Sequence, residues 1–314
     1  MGKPVFNHVA LIGLGLIGSS ICHAIQRDKL AKRITGAAKS KATRETAERL
    51  GLCDETYSDP ADAAKDADLV ILCTPVGSFG AIAQAIAPAL KPGAIISDAG
   101  SVKAAVVRDI APHIPEGVHF IPAHPIAGTE HSGPDAGYAE LFDNRWCILT
   151  PPPGANEAAI AQLKRFWEAC GSNVEVMSPE HHDLVLAITS HVPHLIASNL
   201  VGTASDLETV TEKEVIRYSA GGFRDSTRVA SSDPTMWRDI FLNNKDAVLE
   251  MLGRFMEELT VLQRAIRWDD GDTLFELFTR TRAIRREVIE AGQDTPVPDF
   301  GRPHGKTVEK KRAS

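Results

Sequence analysis

His8-Val9-Ala10-Leu11-Ile12-Gly13-Leu14-Gly15-Leu16-Ile17-Gly18 is the stretch on which the fold turns. Its first five residues form a short apolar run of the kind that fills a buried strand. Gly13, Gly15 and Gly18 follow at the spacing Gly-x-Gly-x-x-Gly and open a helix expected over residues 16–27. In that setting the first glycine permits a tight turn, the second lets a pyrophosphate approach the backbone, and the third allows close helix–strand packing. Leu16 and Ile17 lie in the first turn, whose amides hold the anion. A glycine-rich turn without a ligand is the bland alternative, and the strand–loop–helix context argues against it.

Outward from this loop, apolar runs at residues 34–37, 68–73 and 94–97 alternate with helical segments at 43–50 and 79–90. Gly51 closes the first helix, Thr74-Pro75 stops a strand, and Lys91-Pro92-Gly93 stops the second helix. Short apolar strands alternating with helices predict an α/β, Rossmann-like, doubly wound parallel sheet. Ligands of such sheets bind beyond the carboxyl ends of the strands. Gly13, Thr74, Pro75, Asp98, Gly100 and Ser101 all fall there. About twenty residues past the fingerprint, an acid would bond the ribose 2′-hydroxyl of NAD. The chain instead has Ala38, Lys39, Ser40 and Lys41, with Arg44 a turn later. Cations and a hydroxyl suit a 2′-phosphate better, so the cofactor expected is NAD(P)+, leaning to NADP+. A solvated basic loop is the alternative reading.

The pattern changes after Val174-Glu175-Val176-Met177. Ser178 is an N-cap candidate with Pro179 at the first helical position, and the rest reads as helix. The expected division is a dinucleotide-binding domain at 1–177, an all-α substrate and dimerisation domain at 178–292, and a disordered tail at 293–314. Residues 183–200 read as a helix buried on several sides, and 273–291 as a last amphipathic helix. Between them, 234–268 reads as one long helix striped by Trp237, Phe241, Val248, Leu252, Phe255, Leu259, Leu262 and Ile266. Such a helix spans ~45 Å, and its extended apolar face predicts a homodimer.

Composition narrows the function classes. With 314 residues, 43% hydrophobic and 24% charged, the chain suits a globular protein with an ample core. A net charge of −7 argues against non-specific nucleic-acid binding. Neither a membrane-spanning apolar run nor a secretory signal is read, and Phe6 stands where lipidation at Gly2 would need Ser or Thr. Cys22, Cys53, Cys73, Cys147 and Cys170 are scattered, which suits reduced thiols in the cytoplasm. Cys73 and Cys147, within apolar runs, read as core hydrophobes.

His124 follows the apolar segment 118–122 and is expected at a strand's carboxyl end. Alone it could be structural or catalytic. Its neighbours in sequence decide the reading. Asp98-Ala99-Gly100-Ser101-Val102-Lys103, His124-Pro125-Ile126-Ala127-Gly128-Thr129-Glu130, Ser190-His191-Val192-Pro193-His194 and Gly221-Gly222-Phe223-Arg224-Asp225-Ser226-Thr227-Arg228 occur in this order. With them the chain resembles the prephenate/arogenate (cyclohexadienyl) dehydrogenases of tyrosine biosynthesis, from about residue 8 to 292.

The resemblance implies an oxidoreductase that oxidises a ring carbinol with NAD(P)+ as the ring carboxylate leaves as carbon dioxide, giving 4-hydroxyphenylpyruvate or tyrosine. It implies His124 as general base, Ser101 as a hydrogen-bond partner of the same hydroxyl, and Arg228 as the fork for the ring carboxylate. Thr129, Glu130, His194 and Arg224 would line the substrate pocket, and Trp237 would lie near the neighbouring subunit's site. Arg224 stands where relatives carry Lys. The segment 221–228 reads as a basic ligand loop, although Arg224 and Arg228 could be surface charges. His131 and Ser132 are places where prephenate and arogenate could be told apart. His191 and His194, with His181-His182-Asp183 upstream, lack a supporting acidic or thiolate set, so no metal is expected. His191 reads as packed structure, and Pro193 as a helix kink. A β-hydroxyacid or imine-type dehydrogenase would use a helical Lys or Asp instead of His124. A non-catalytic NAD(P) sensor would have no reason to hold His124, Ser101 and an arginine segment together.

Overall fold

The computed structural model describes residues 3–129, 131–207 and 217–290. Among them, six parallel strands form one sheet in the order β3-β2-β1-β4-β5-β6. These are β1 (Phe6–Ile12), β2 (Ala31–Ala37), β3 (Glu55–Tyr57), β4 (Leu69–Leu72), β5 (Ile95–Asp98) and β6 (His119–Phe120). Crossovers run through α1 (Leu16–Asp28), α2 (Lys41–Arg49), α3 (Pro60–Ala64), α4 (Phe79–Ile86) and α5 (Ala104–Ile110). The central strands are apolar on both faces because both faces are covered. Val9, Leu11, Leu69 and Ile71 join a core with Ile21 and Ile25 of α1. Ala10, Ile12, Val70 and Leu72, one residue out of phase, join a second core with Phe79, Ile82 and Val106. The expected helix over 79–90 ends at Ile86 and finishes as a 3-10 turn, Ala87–Ala89.

A second sheet corrects the expectation for His124. The segment 118–122 is not one strand that ends at His124: β6 stops at Phe120, and Ile121 makes the last backbone–backbone bond to β5, N to Ile96 O at 3.0 Å. Pro122 then has no N–H to donate, so the chain leaves the parallel sheet. It restarts as β7 (Ala123–Pro125), antiparallel to β8 (Trp146–Leu149), which pairs in parallel with β9 (Asn173–Val176). His124 is thus the middle residue of a strand, opposite Ile148. The helix α6 (Glu157–Ala169), capped by Asn156, joins β8 to β9 and buries Phe166 and Trp167.

The second half is helical. Ser178 caps α7 (Pro179–Leu186) by accepting from His181 N at 3.2 Å. A π-helical turn, Ala187–His191, leads into α8 (Val192–Leu207). Contrary to the sequence reading, Pro179–Asp206 is a 28-residue run long and apolar enough to cross a membrane by length and composition. Its His182 and Asp183 are, however, used in buried hydrogen bonds to the sheet half, as in a core helix.

Two further expectations are corrected. The segment 221–228 is not a loop: Gly221–Thr227 is a helix, followed by the 3-10 turn Arg228–Ser231. The long helix over 234–268 is two helices, Pro234–Asn243 and Lys245–Arg267. They are separated at Asn244, whose φ of −118° and ψ of 34° are not helical. Asn is a weak helix former whose amide can bond elsewhere, and here it does. The last helix is Gly271–Glu290. Ile266, Phe275 and Phe278, 66%, 72% and 63% exposed, leave a large apolar surface on these last helices. The tail over 293–314 lies outside the described residues.

Candidate active site

The glycine loop has the shape its spacing implies. Gly13 sits at φ +108°, and a Cβ there would come within 2.8 Å of the Cys73 backbone. A Cβ on Gly18 would strike the Gly13 carbonyl at 2.0 Å, whereas one on Gly15 would meet nothing within 4 Å. Gly13 and Gly18 therefore serve the turn and its packing, and Gly15 faces open space. The amino end of α1, at Leu16 and Ile17, has no side-chain cap. An uncapped helix start beneath a bare glycine fits a dinucleotide pyrophosphate. Thr74 and Pro75, after β4, and Asp98, the last residue of β5, with Gly100 just beyond it, stand at neighbouring strand ends. Thr74 and Ser78 exchange a hydroxyl hydrogen bond of 2.8 Å.

At the end of β2 the basic segment is partly used internally. Ser40 caps α2, accepting from Thr43 N at 3.4 Å. Lys41 pairs with Glu45 at 3.2 Å, in solvent. Arg44 donates to the carbonyls of Ala38 (2.6 Å) and Lys39 (2.9 Å), which fixes a guanidinium at the strand end.

Between the two halves lies a buried polar chain. Asp183 of α7 accepts from the backbone N–H of Lys103 (2.7 Å) and of Ala104 (2.9 Å), and from His182 Nδ1 (2.8 Å). A carboxylate only accepts, so His182 carries its proton on Nδ1 and presents a lone pair at Nε2. His124 Nδ1 lies 2.8 Å from that nitrogen and must donate to it. The outcome is a neutral His124 with its proton on Nδ1 and Nε2 bare, the tautomer a general base requires. Burial, followed by His182, Lys103 and His191, pushes the His124 imidazolium well below its usual range, so it is neutral at pH 7.

A second buried network fixes the strand. Lys103 Nζ pairs with the Asp98 carboxylate and donates to Ala123 O at 2.7 Å, with Lys103 and Asp98 both inaccessible to solvent. Asp98 also accepts from Gly100 N at 2.8 Å and Ala123 N at 3.2 Å. The residue before His124 is thereby tied to the Asp98–Ser101 turn. The Ser101 backbone faces the His191 ring, although His191 Nε2 is buried without a hydrogen-bond partner. The His191 Nδ1 lies 3.1 Å from the Asn244 amide, which also donates to Asp183 O at 2.8 Å. The break between the two long helices thus serves this cluster.

His194 stacks on Trp237, ring centroids 3.4 Å apart at 17°, and Trp237 meets His191 edge-on at 6.1 Å. Trp237 is therefore part of its own chain's histidine cluster. Burial brings both His191 and His194 down to about 4. Arg228 opens a turn packed against α8, the helix of His194. Arg224 is exposed and pairs with its own neighbour Asp225 at 3.0 Å. It is not brought to the cluster. Thr129 accepts from His131 N at 3.2 Å and lines an open pocket with His131, Ser132, Asp135 and Tyr138. Glu130 lies outside the described residues. His182, Asp183 and Asn244 are the members the sequence reading missed. The available signal was an acid in the first turns of an otherwise apolar helix.

Comparison with known proteins follows the same division. Residues 21–176 match the family model for the prephenate dehydrogenase nucleotide-binding domain, and residues 178–280 that for the prephenate dehydrogenase dimerization domain. Over 281 residues the chain is 46% identical to a cyclohexadienyl dehydrogenase of Zymomonas mobilis subsp. mobilis, covering 90% of this chain and 96% of that one. A prephenate dehydrogenase of Bacillus subtilis is 36% identical over 293 residues, 93% of this chain and 78% of the other. A crystal structure of prephenate dehydrogenase from A. aeolicus, in complex with hydroxyphenyl propionate and NAD+, is similar at a TM-score of 0.84 and 34% identity. It covers 92% of this chain and 99% of that one.

Proposed function

The chain belongs to the prephenate dehydrogenase family, and we propose that it catalyses the NAD(P)+-dependent oxidative decarboxylation of prephenate, arogenate or both in tyrosine biosynthesis. The observation that carries this reading is the orientation of His124. Asp183 and His182 hold its Nδ1 proton, so Nε2 is available to accept the ring hydroxyl proton. The dinucleotide, when bound at the Gly13–Gly18 loop, supplies the hydride acceptor. Ser101 shares a hydrogen bond with the same hydroxyl. Arg228 pairs bidentately with the ring carboxylate until it leaves as carbon dioxide. Aromatisation of the ring drives that loss. Thr129, Glu130, His194 and Trp237 complete the pocket, and Arg224 serves its entrance.

The same reading assigns residues 1–177 to cofactor binding and 178–292 to substrate binding and dimerisation through the last helices, in the cytoplasm. The exposed apolar side chains at Ile266, Phe275 and Phe278 support that dimer. The absence of an acid at Ala38, with Arg44 held beside it, supports NADP+ over NAD+. Steady-state kinetics with prephenate and arogenate, each with NAD+ and NADP+, test the assignment. The variant His124→Asn is expected to lose about 10²–10⁴-fold in turnover, the range for removing a general base. Undiminished turnover would remove His124 from the chemistry.

A further inference from the structure

Outside this site the structure brings together two thiols that are 31 positions apart in sequence. Cys22 is fully buried in α1, and its Sγ lies 3.8 Å from that of Cys53, just before β3. Cys53 is half-buried and lines an open groove with Gln26, Lys29, Lys32, Gly51 and Asp54. The Cys53 sulfur lies near a side chain of the dinucleotide loop. A Cβ built on Gly36 of β2 would come within 2.7 Å of the Cys53 sulfur and 2.9 Å of Leu14 Cδ1. Leu14 belongs to the glycine loop itself. One bare patch of β2 therefore packs both the thiol and the loop.

We propose that Cys22 and Cys53 are a modification site, joined by a peroxide-class oxidant into a reversible disulfide that weakens dinucleotide binding. The sulfur of Cys53, a residue that lines the groove together with Lys29 and Lys32, attacks the peroxide O–O bond as its thiolate. That step gives a sulfenic acid on Cys53 and releases water. The Cys22 sulfur then attacks the Cys53 sulfur and displaces its hydroxyl as a second water. In sum, two thiols lose two electrons and two protons, and one peroxide is reduced to two waters. Cys22 is the second to react because its hydrogen bond with Cys53 and its burial hold its proton. To bond, the sulfurs must close from 3.8 Å to about 2.05 Å. Either Cys53 leaves Gly36 and Leu14, or α1 shifts with its amino end. Both movements disturb the loop that holds the pyrophosphate.

The test uses the full-length protein treated with hydrogen peroxide under native conditions. The intact mass should fall by two hydrogens, and peptide mapping should find Cys22 joined to Cys53, reversed by dithiothreitol. Fluorescence titration should then give NADPH and NADH binding about tenfold weaker, equivalent to ~1.4 kcal/mol. In Cys53→Ser neither readout should respond to peroxide. In Cys22→Ala the Cys53 sulfenic acid should persist and be trapped by dimedone. Oxidation that leaves the two residues unlinked would overturn the site, and a cross-linked protein with unchanged dinucleotide affinity would overturn its effect. The cross-link readout is independent of substrate and turnover, so it stands or falls separately from the proposed activity.

Discussion

Substituting Asp183→Asn tests the orientation of His124 without touching it. The native carboxylate receives three N–H groups, from Lys103 (2.7 Å), Ala104 (2.9 Å) and His182 (2.8 Å). An amide has only one accepting oxygen. If its nitrogen takes the place of Oδ2, it meets the Ala104 N–H donor to donor. If it takes the place of Oδ1, it faces Lys103 N–H and His182 Nδ1, and His182 can relieve the conflict only by moving its proton to Nε2. That proton then points at His124 Nδ1, which must become an acceptor, and His124 Nε2 becomes protonated and useless as a base. Reversing a tautomer in this way costs ≈ 10⁴ in the serine-protease triad. In that orientation, with one more ring in the relay, a loss of roughly 10²–10⁴ in kcat is expected with KM little changed. A nitrogen at Oδ2 instead leaves His182 its acceptor. Asp183→Leu, which offers His182 no acceptor in either orientation, should show the loss outright. The unpaired backbone donor should also lower stability by ~1–3 kcal/mol. Stopped-flow or steady-state production of NAD(P)H gives kcat, and thermal unfolding gives the stability. A folded Asp183→Leu protein with undiminished kcat would refute the relay.

Three further outcomes are expected. Lys103→Met leaves the buried Asp98 carboxylate unpaired and should destabilise the protein by about 3–5 kcal/mol in denaturant unfolding, with Asp98→Leu in the same chain recovering much of the loss. Arg228→Ala should weaken substrate by about 2–5 kcal/mol, read as a raised KM, and an unchanged KM would count against its pairing with the carboxylate. His191 and His194 have folded-state pKa values of about 4, below the 6.5 of the free imidazole. Their contribution to stability is complete above pH 6.5 and is lost as pH falls from 6.5 toward 4, because only the unfolded chain takes up protons there. Melting temperatures across that window should drop in the parent and drop less in a His194→Phe variant.

The parts of this molecule that local chemistry dictates were legible in its sequence. A glycine at Gly13 and Gly18 answers to contacts with its immediate neighbours, and the runs in β1 and β4 are apolar on both faces because two layers cover them. The cap at Ser178 is likewise a local device. What the sequence hid depends on partners far along the chain. β7 is three residues long, too short for periodicity, and exists because Pro122 ends one ladder and β8 offers another. The apolar stripe runs uninterrupted past Asn244, yet the helix breaks there because Asp183 and His191 claim its amide. His182 and Asp183, weighed in the sequence only as neighbours of a metal site that was not expected, gained a role when the fold set one against His124 and the other against two backbone amides. Residues 221–228, rich in glycine and polar side chains, lack helical signals, but packing against α8 gives that segment a helical form.

The π turn at Ala187–His191 has a consequence for how α7 and α8 tolerate insertion and deletion. Val192 N–H reaches back five residues to the Ala187 carbonyl, so this turn holds one residue more than an α-helical register allows. A π turn winds five residues through about the angle an α-helix covers in four, so excising Ser190 would restore ordinary winding and leave α8 close to its present angular phase. His194 would keep the face of Trp237 and α7 its bond to His124, and the change would fall on the turn itself, where His191 meets the Asn244 amide. The surplus residue is thus contained within one turn, and a single-codon deletion there would reshape the His191 corner while the proton relay and the aromatic wall of the pocket stayed in register.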